Sequence, residues 1–96
     1  MRRIRYRPRA KRDIDQIWSY TIETFGQVKA IEYVRSLQAA LLLVEANPSL
    51  ARDAHIGRPG LKRYRSGSHV LFFHLEDTYV DVVRILHERM DFSRHV

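Results

Sequence analysis

Arg84 is the residue whose setting first asks for a chemical explanation. Val80, Val82, Arg84 and Leu86 share one face of a period-two run, while Asp81, Val83, Ile85 and His87 share the other. A guanidinium among apolar side chains is costly unless it is paired. Two readings follow: an ion pair or backbone hydrogen bonds that lock a sheet, or a cation presented to an anion at the sheet surface. Arg63, in a shorter alternating run, is a second candidate for holding a phosphate. His87 is of a type that titrates near neutrality and can move a proton. The chain has no cysteine, so a metal site would need histidine and carboxylate ligands. Alternation sets His69 with Leu71 and Phe73 but His74 with Val70 and Phe72, and His55 and His95 lie in a loop and a tail. No convergence of these rings is expected, and neither a metal nor another cofactor is predicted. Phosphate-binding glycine loops, HExxH and nucleophile elbows are absent from the sequence.

The elements that must position these groups fit one domain of 96 residues. Arg3, Arg5 and Arg7 alternate with Ile4 and Tyr6, the mark of a strand with one buried face. Pro8 suits the first turn of a helix, where its missing N–H is no loss. From Arg9 to Phe25 a stripe of Ala10, Ile14, Ile17, Trp18, Thr21 and Phe25 follows the helical period, with Asp13, Asp15 and Glu23 placed off it. Gly26 ends that helix. A second helix runs from about Val28 to Ala46 on a stripe of Ala30, Tyr33, Val34, Leu37, Leu41 and Val44, and Asn47-Pro48 stops it. Residues 49–60 read as a loop. Strands follow at Leu61–Arg65, Ser68–Leu75 and Tyr79–His87, joined by short turns, and the tail from Glu88 to Val96 reads as polar and loosely packed. The expected fold class is α+β, in the order β-α-α-β-β-β, an antiparallel sheet with an N-terminal helical hairpin packed on one face. The first strand belongs either at an edge or beside the last strand.

Charge bounds the partners. The formal net charge is +6, a balance that favours polyanions or an acidic protein. Arg2, Arg3, Arg5, Arg7, Arg9, Lys11 and Arg12 all precede the first carboxylate, and Arg58, Lys62, Arg63 and Arg65 form a second cluster. Each of these cations reads equally well as solvated surface. The hairpin is core-facing and lacks a helix-turn-helix pattern, so base-specific reading of DNA is not expected. No apolar stretch follows the basic N-terminus, and the longest apolar run, Ala39 to Val44, falls far short of the roughly 20 residues that span a bilayer. The absence of cysteine suits a reducing cytoplasm, and no membrane partner is expected.

Several segments together carry a family resemblance. Pro8-Arg9-Ala10-Lys11-Arg12-Asp13-Ile14, Ile17-Trp18-Ser19-Tyr20 and Asn47-Pro48 resemble the helical part of ParE-type toxins of the RelE/ParE superfamily. Arg58-Pro59-Gly60-Leu61, Gly67-Ser68-His69-Val70-Leu71-Phe72-Phe73 and Val83-Arg84-Ile85-Leu86-His87-Glu88-Arg89-Met90-Asp91 resemble the sheet part. The resemblance implies the toxin of a bacterial type II toxin–antitoxin module. Such a toxin inhibits DNA gyrase by binding, is neutralised by a ParD-like antitoxin, and meets operator DNA only through that antitoxin.

The competing class is a RelE-like, ribosome-dependent mRNA endonuclease. Cleavage by 2′-hydroxyl attack needs a base, an acid and cations on the phosphate. Arg63, Arg84 and His87 are available, but no tyrosine follows Tyr79 and His87 precedes Glu88 rather than an aromatic hydroxyl. The proton-transfer set is incomplete, so an enzyme is not expected. Leu42 and Leu43 exceed what one helix interface needs. They either cap a small core or, with Trp18, Tyr33, Leu37 and Arg63, border a groove for an acidic, amphipathic antitoxin segment. Arg58, Arg84, His87, Arg89 and Arg94 are the candidates for target contact.

Overall fold

The alternation at the N-terminus becomes a strand that ends where proline removes a ladder donor, and Pro8 then sits in the first turn of the helix. The computed structural model describes residues 2–96. Its elements are β1 (Arg3–Tyr6), α1 (Pro8–Phe25), α2 (Gln27–Ala46), a 3-10 turn (Pro48–Leu50), β2 (Arg52–Asp53), β3 (Lys62–Ser66), β4 (His69–Leu75), β5 (Tyr79–His87) and α3 (Phe92–His95). Only Gly26 separates the two long helices. Its φ of 91° lies in the region glycine tolerates, and its N–H closes α1 by donating to the Ile22 carbonyl at 3.0 Å.

The α+β order holds, with one change of direction. The sheet order is β1-β5-β4-β3-β2. β3, β4 and β5 form the expected antiparallel meander, but β1 pairs with β5 in parallel, Arg3 opposite Tyr79 and Tyr6 opposite Val82. The sheet is therefore mixed. A parallel partner needs a long crossover, and the helical hairpin together with the meander supplies it. β1 lies both at an edge and beside the last strand, so the two expected placements are one. The segment expected to be a loop also holds β2, which extends the sheet by pairing Arg52 with Arg63 and Asp53 with Lys62.

Two cores lie on the two faces of the sheet. Ala10, Ile17, Leu37, Leu41 and Val44 pack the helices onto Leu71, Phe73, Val80, Val82 and Ile85. On the other face Ala54, Leu61, Val70, Phe72, Val83 and Leu86 are covered by Ile56, Met90, Phe92 and Val96. The tail is thus not loose. Phe92 meets Phe72 edge to face, with ring centroids 5.0 Å apart.

A β-bulge corrects the expected faces of β5. Phe72 stands opposite Arg84 and Phe73 opposite Val82, leaving Val83 as the extra residue. A bulge resets the alternation by one. Val80 and Val82 therefore share the helix side with Ile85, whereas Val83 and Leu86 join the opposite core. Val82, Arg84 and Leu86 do not share a face.

Candidate functional site

Asp13 organises the end of the sheet that β1 leaves uncovered. Contrary to its expected place off the apolar stripe, it is buried on α1, one turn beyond Ala10 and one before Ile17. Its carboxylate accepts Arg84 Nε at 2.8 Å, Arg84 Nη2 at 2.9 Å and the Ile85 N–H at 2.9 Å. Arg84 also donates to the His95 carbonyl of α3. The side chains of Arg84 and Asp13 are only 11% and 8% exposed. This bidentate pair ties α1, β5 and the tail together, so the guanidinium is committed within the fold.

Beside it, the rings expected to stay apart converge. His69 of β4 and His87 of β5 are direct cross-strand partners, with centroids 5.4 Å apart. The bulge places His87 on the helix side, on the same face as His69. Tyr33 of α2 completes the cluster through Oη to His69 Nδ1 at 2.5 Å. The Ser68 N–H donates to the same hydroxyl at 3.1 Å, which leaves the phenol's own proton available to Nδ1 of a neutral His69. The Arg89 N–H donates to His87 Nδ1 at 3.2 Å. A neutral ring that accepts at Nδ1 carries its proton on Nε2, as the Arg89 contact requires of a neutral His87. Burial lowers the His69 pKa below its ordinary value, and the neighbouring His87 lowers it further, against the opposing pull of Asp13 and Glu88. Burial raises the Tyr33 pKa. With Nδ1 engaged by Tyr33, a neutral His69 offers its Nε2–H as a hydrogen-bond donor.

The turn beneath Tyr33 is built for it. Gly67 has φ 60°, and a Cβ there would stand 2.8 Å from Tyr33 Cε1. Tyr33, His69 and His87 line a cleft of about 470 Å³ whose mouth carries Tyr20 and Phe25. Both of these are largely exposed, so Phe25 is not part of the core stripe assigned to it from spacing.

The remaining candidates are scattered. Trp18 is half-buried on α1, and Leu37 is 2% exposed in the core, which removes it from any open groove. Leu42 and Leu43 are 52% and 45% exposed on α2. Arg63 lies on the sheet face opposite the helices, directly across from Phe72. Arg58 is half-buried in the loop before β3, and Arg89 and Arg94 are exposed in the tail. The structure thus brings together Arg84 and His87 but neither Arg58 nor Arg63 with them. Part of the N-terminal basic cluster is used internally. Arg2 Nε donates to the Glu76 carbonyl at 2.7 Å, Arg5 stacks over Tyr79 at 4.6 Å, and Arg7 pairs with Asp81 at 2.7 Å.

Sequence reasoning missed Asp13, although its spacing of three from Ala10 and four from Ile17 marks the core face. Among the described residues no group of three or more metal-ligating side chains occurs, and no helix is long and apolar enough to cross a membrane.

Comparison with known proteins adds to this geometry. The family model for the ParE toxin of the parDE type II toxin–antitoxin system matches residues 4–92. Toxin ParE1 of Mycobacterium tuberculosis is 38% identical over 90 residues, covering 93% of this chain and 92% of the relative. Toxin ParE1 of Caulobacter vibrioides is 34% identical over 96 residues, covering 100% and 99%. Among solved structures, the chromosomal ParDE system of P. aeruginosa superposes with a TM-score of 0.74 at 19% identity, covering 91% of this chain and 96% of that one. The YoeB dimer of Staphylococcus aureus does so with a TM-score of 0.64 at 16% identity, covering 86% and 92%. These two share the fold. The family match and the near full-length relatives together place the chain in the ParE toxin family of type II toxin–antitoxin systems.

Proposed function

We propose that this toxin inhibits DNA gyrase by binding it, without catalysis, and that a ParD-like antitoxin neutralises it in the cytoplasm. The observation that carries the non-catalytic reading is the commitment of Arg84 to Asp13 and the His95 carbonyl, which withdraws the best-placed cation from a phosphate. A second reading, a RelE-like mRNA endonuclease, draws support from the Tyr33–His69–His87 cluster. Against it stands the geometry: His69 and Tyr33 lie on the helix side of the sheet, whereas Arg63 lies on the other. Proton-transfer groups and phosphate-holding cations must meet within hydrogen-bond reach of one reacting group, and here the sheet separates them. For the antitoxin, the exposed Leu42 and Leu43 offer an apolar strip to an amphipathic segment, and the +6 charge favours an acidic one. Operator DNA is then reached only through the antitoxin. A gyrase supercoiling assay run beside a ribosome-dependent mRNA cleavage assay tests the proposal. Loss of supercoiling with accumulation of cleaved DNA is expected; mRNA cutting with gyrase unaffected would overturn it.

A further inference from the structure

Both imidazoles of the ring cluster leave one nitrogen unused by the fold. His69 Nδ1 meets the Tyr33 hydroxyl, and His87 Nδ1 accepts the Arg89 N–H. Among the described residues neither Nε2 has a hydrogen-bond partner, and no fully buried side-chain nitrogen lacks one. The two Nε2 atoms are therefore open to solvent. The rings stand 5.4 Å apart across the β4–β5 ladder and line two clefts at once. One, of about 470 Å³, also takes in Tyr20, Phe25 and Lys29. The other, of about 300 Å³, shares Tyr20 and both rings and adds Asp13, Arg84 and Met90. At the mouth, Tyr20 and Phe25 present aromatic surface that the fold leaves uncovered.

We propose that the larger cleft binds a free aromatic monocarboxylate, its oxygens accepting from His69 Nε2–H and His87 Nε2–H and its ring lying against Tyr20 and Phe25. The tautomers select the guest. With Nδ1 accepting, each neutral ring presents a donor at Nε2, so the guest must supply acceptors. A metal ion at Nε2 of His87 would need that nitrogen stripped of its proton, against the Arg89 contact. Among acceptors, a single negative charge fits best. Asp13 and Glu88 lie near enough to act on His69 electrostatically, and Arg84 is already bound to Asp13. A dianionic phosphoryl group would meet that repulsion with no free guanidinium to offset it. A carboxylate instead sets two acceptors in one plane and carries one charge, and Lys29 adds a cation at the rim. Tyr20 and Phe25 specify the rest of the guest, since aromatic rings gain from offset or edge contacts with one another. The volume of the cleft lies in the range of small-molecule pockets. This inference does not rest on the gyrase reading.

The test is a titration of the full chain with indole-3-acetate, indole-3-acetamide, acetate and the peptide Ala-Ala-Trp, followed by chemical shifts. Saturable shifts centred on Tyr20, Phe25, His69 and His87 are expected for indole-3-acetate, with the amide and acetate about tenfold weaker or more. The peptide, which carries a ring and a terminal carboxylate on a chain, should also bind more weakly than the free acid. His87→Leu should weaken indole-3-acetate about tenfold, the loss of one charge-assisted contact. Phe25→Ala, at an exposed position, should weaken it several-fold without moving the melting temperature, and it decides the matter if His87→Leu folds poorly. Arg5→Gln on β1 should bind as the parent does. The amide matching the acid would overturn the carboxylate clamp, and acetate matching it would overturn the aromatic wall. A peptide that binds more tightly than the free acid would overturn the small-molecule assignment. No saturable shift at millimolar ligand, or unchanged binding in both His87→Leu and Phe25→Ala, would overturn the site.

Discussion

Replacing Arg84 by leucine measures how much of the fold depends on one ion pair. The substitution removes both guanidinium contacts to Asp13 and the contact to the His95 carbonyl. Asp13, only 8% exposed, then keeps a single donor, the Ile85 N–H. Breaking a buried pair while leaving one charge behind costs about 3–5 kcal/mol. For a chain of 96 residues that corresponds to a fall in melting temperature on the order of 15–25 °C. Asp13→Leu should be equally harmful, since it strands the guanidinium and orphans the Ile85 N–H. The double variant Asp13→Leu/Arg84→Leu leaves no stranded charge, only the Ile85 N–H and the His95 carbonyl without these partners, at about 1–3 kcal/mol for a buried polar group, so it should be more stable than either single variant. Thermal and urea melts followed by circular dichroism read all three. A double variant no more stable than the singles, or an Arg84→Leu loss below about 1 kcal/mol, would show that the pair is not the lock described.

Other expectations follow from the same geometry. Because the folded pKa of His69 lies below its ordinary 6.5, the unfolded chain takes up the proton first as pH falls. Its contribution is therefore complete above about pH 6.5, declines as pH drops through that value, and stops declining at the folded pKa. His69→Gln should flatten this part of the stability–pH curve, and an unchanged slope would mean His69 is not held neutral. Leu42→Asp should leave the unfolding free energy within about 0.5 kcal/mol of the parent, as an exposed position allows, while weakening antitoxin capture; an unfolded variant would place Leu42 in the core. The antitoxin on-rate should fall as salt rises, and a flat salt dependence would leave the basic clusters a solubilising role only. Phe92→Ala should cost about 2 kcal/mol or more through loss of the Phe72 contact, whereas exposed Arg89→Ala should be neutral for folding. Growth inhibition retained by Arg89→Ala and Arg94→Ala alike would remove the tail from target contact.

Much of the fold was legible because its signals are local. Period two at Arg3–Arg7, the helical stripe through Ile17 and Leu41, Gly26, and Asn47-Pro48 each specify their own stretch of chain. The direction of β1 was not legible, since alternation marks a strand's faces and says nothing of its polarity relative to a partner. The faces of β5 were misread for a different reason. A bulge inserts one residue between two otherwise regular runs, and Val82-Val83-Arg84 contains no glycine or proline to announce it. That single shift moved Ile85 and His87 to the helix side, and with it went the expectation that His69 and His87 stay apart. Arg84's need for a partner was legible from its apolar neighbours; the partner's identity was not, because Asp13 lies 71 residues away and was assigned to the solvent side.

The bulge also bears on the proposed reading that this sheet binds a target and does no phosphodiester chemistry. By turning His87 toward Tyr33 and His69, it gathers these three rings on the helix side. The same irregularity puts Arg84 at the sheet margin, where Asp13 reaches it. The free arginines of β2 and β3 remain on the opposite face, separated from the rings by the thickness of the sheet. Returning Arg84 to a phosphate would require breaking the Asp13 pair, at a cost of several kcal/mol set by the burial of both charges. A transition state would have to recover that energy before any acceleration began. On the proposed reading the ring cluster and the free arginines therefore do not form one catalytic centre. Asp13→Asn offers the sharpest probe of that separation. It loosens Arg84 while keeping an oxygen for the Ile85 N–H, and it should lower stability without creating mRNA cleavage. Appearance of cleavage in Asp13→Asn would mean that Arg84 is a phosphate ligand held in reserve, and that the sheet does not divide the two sets of groups.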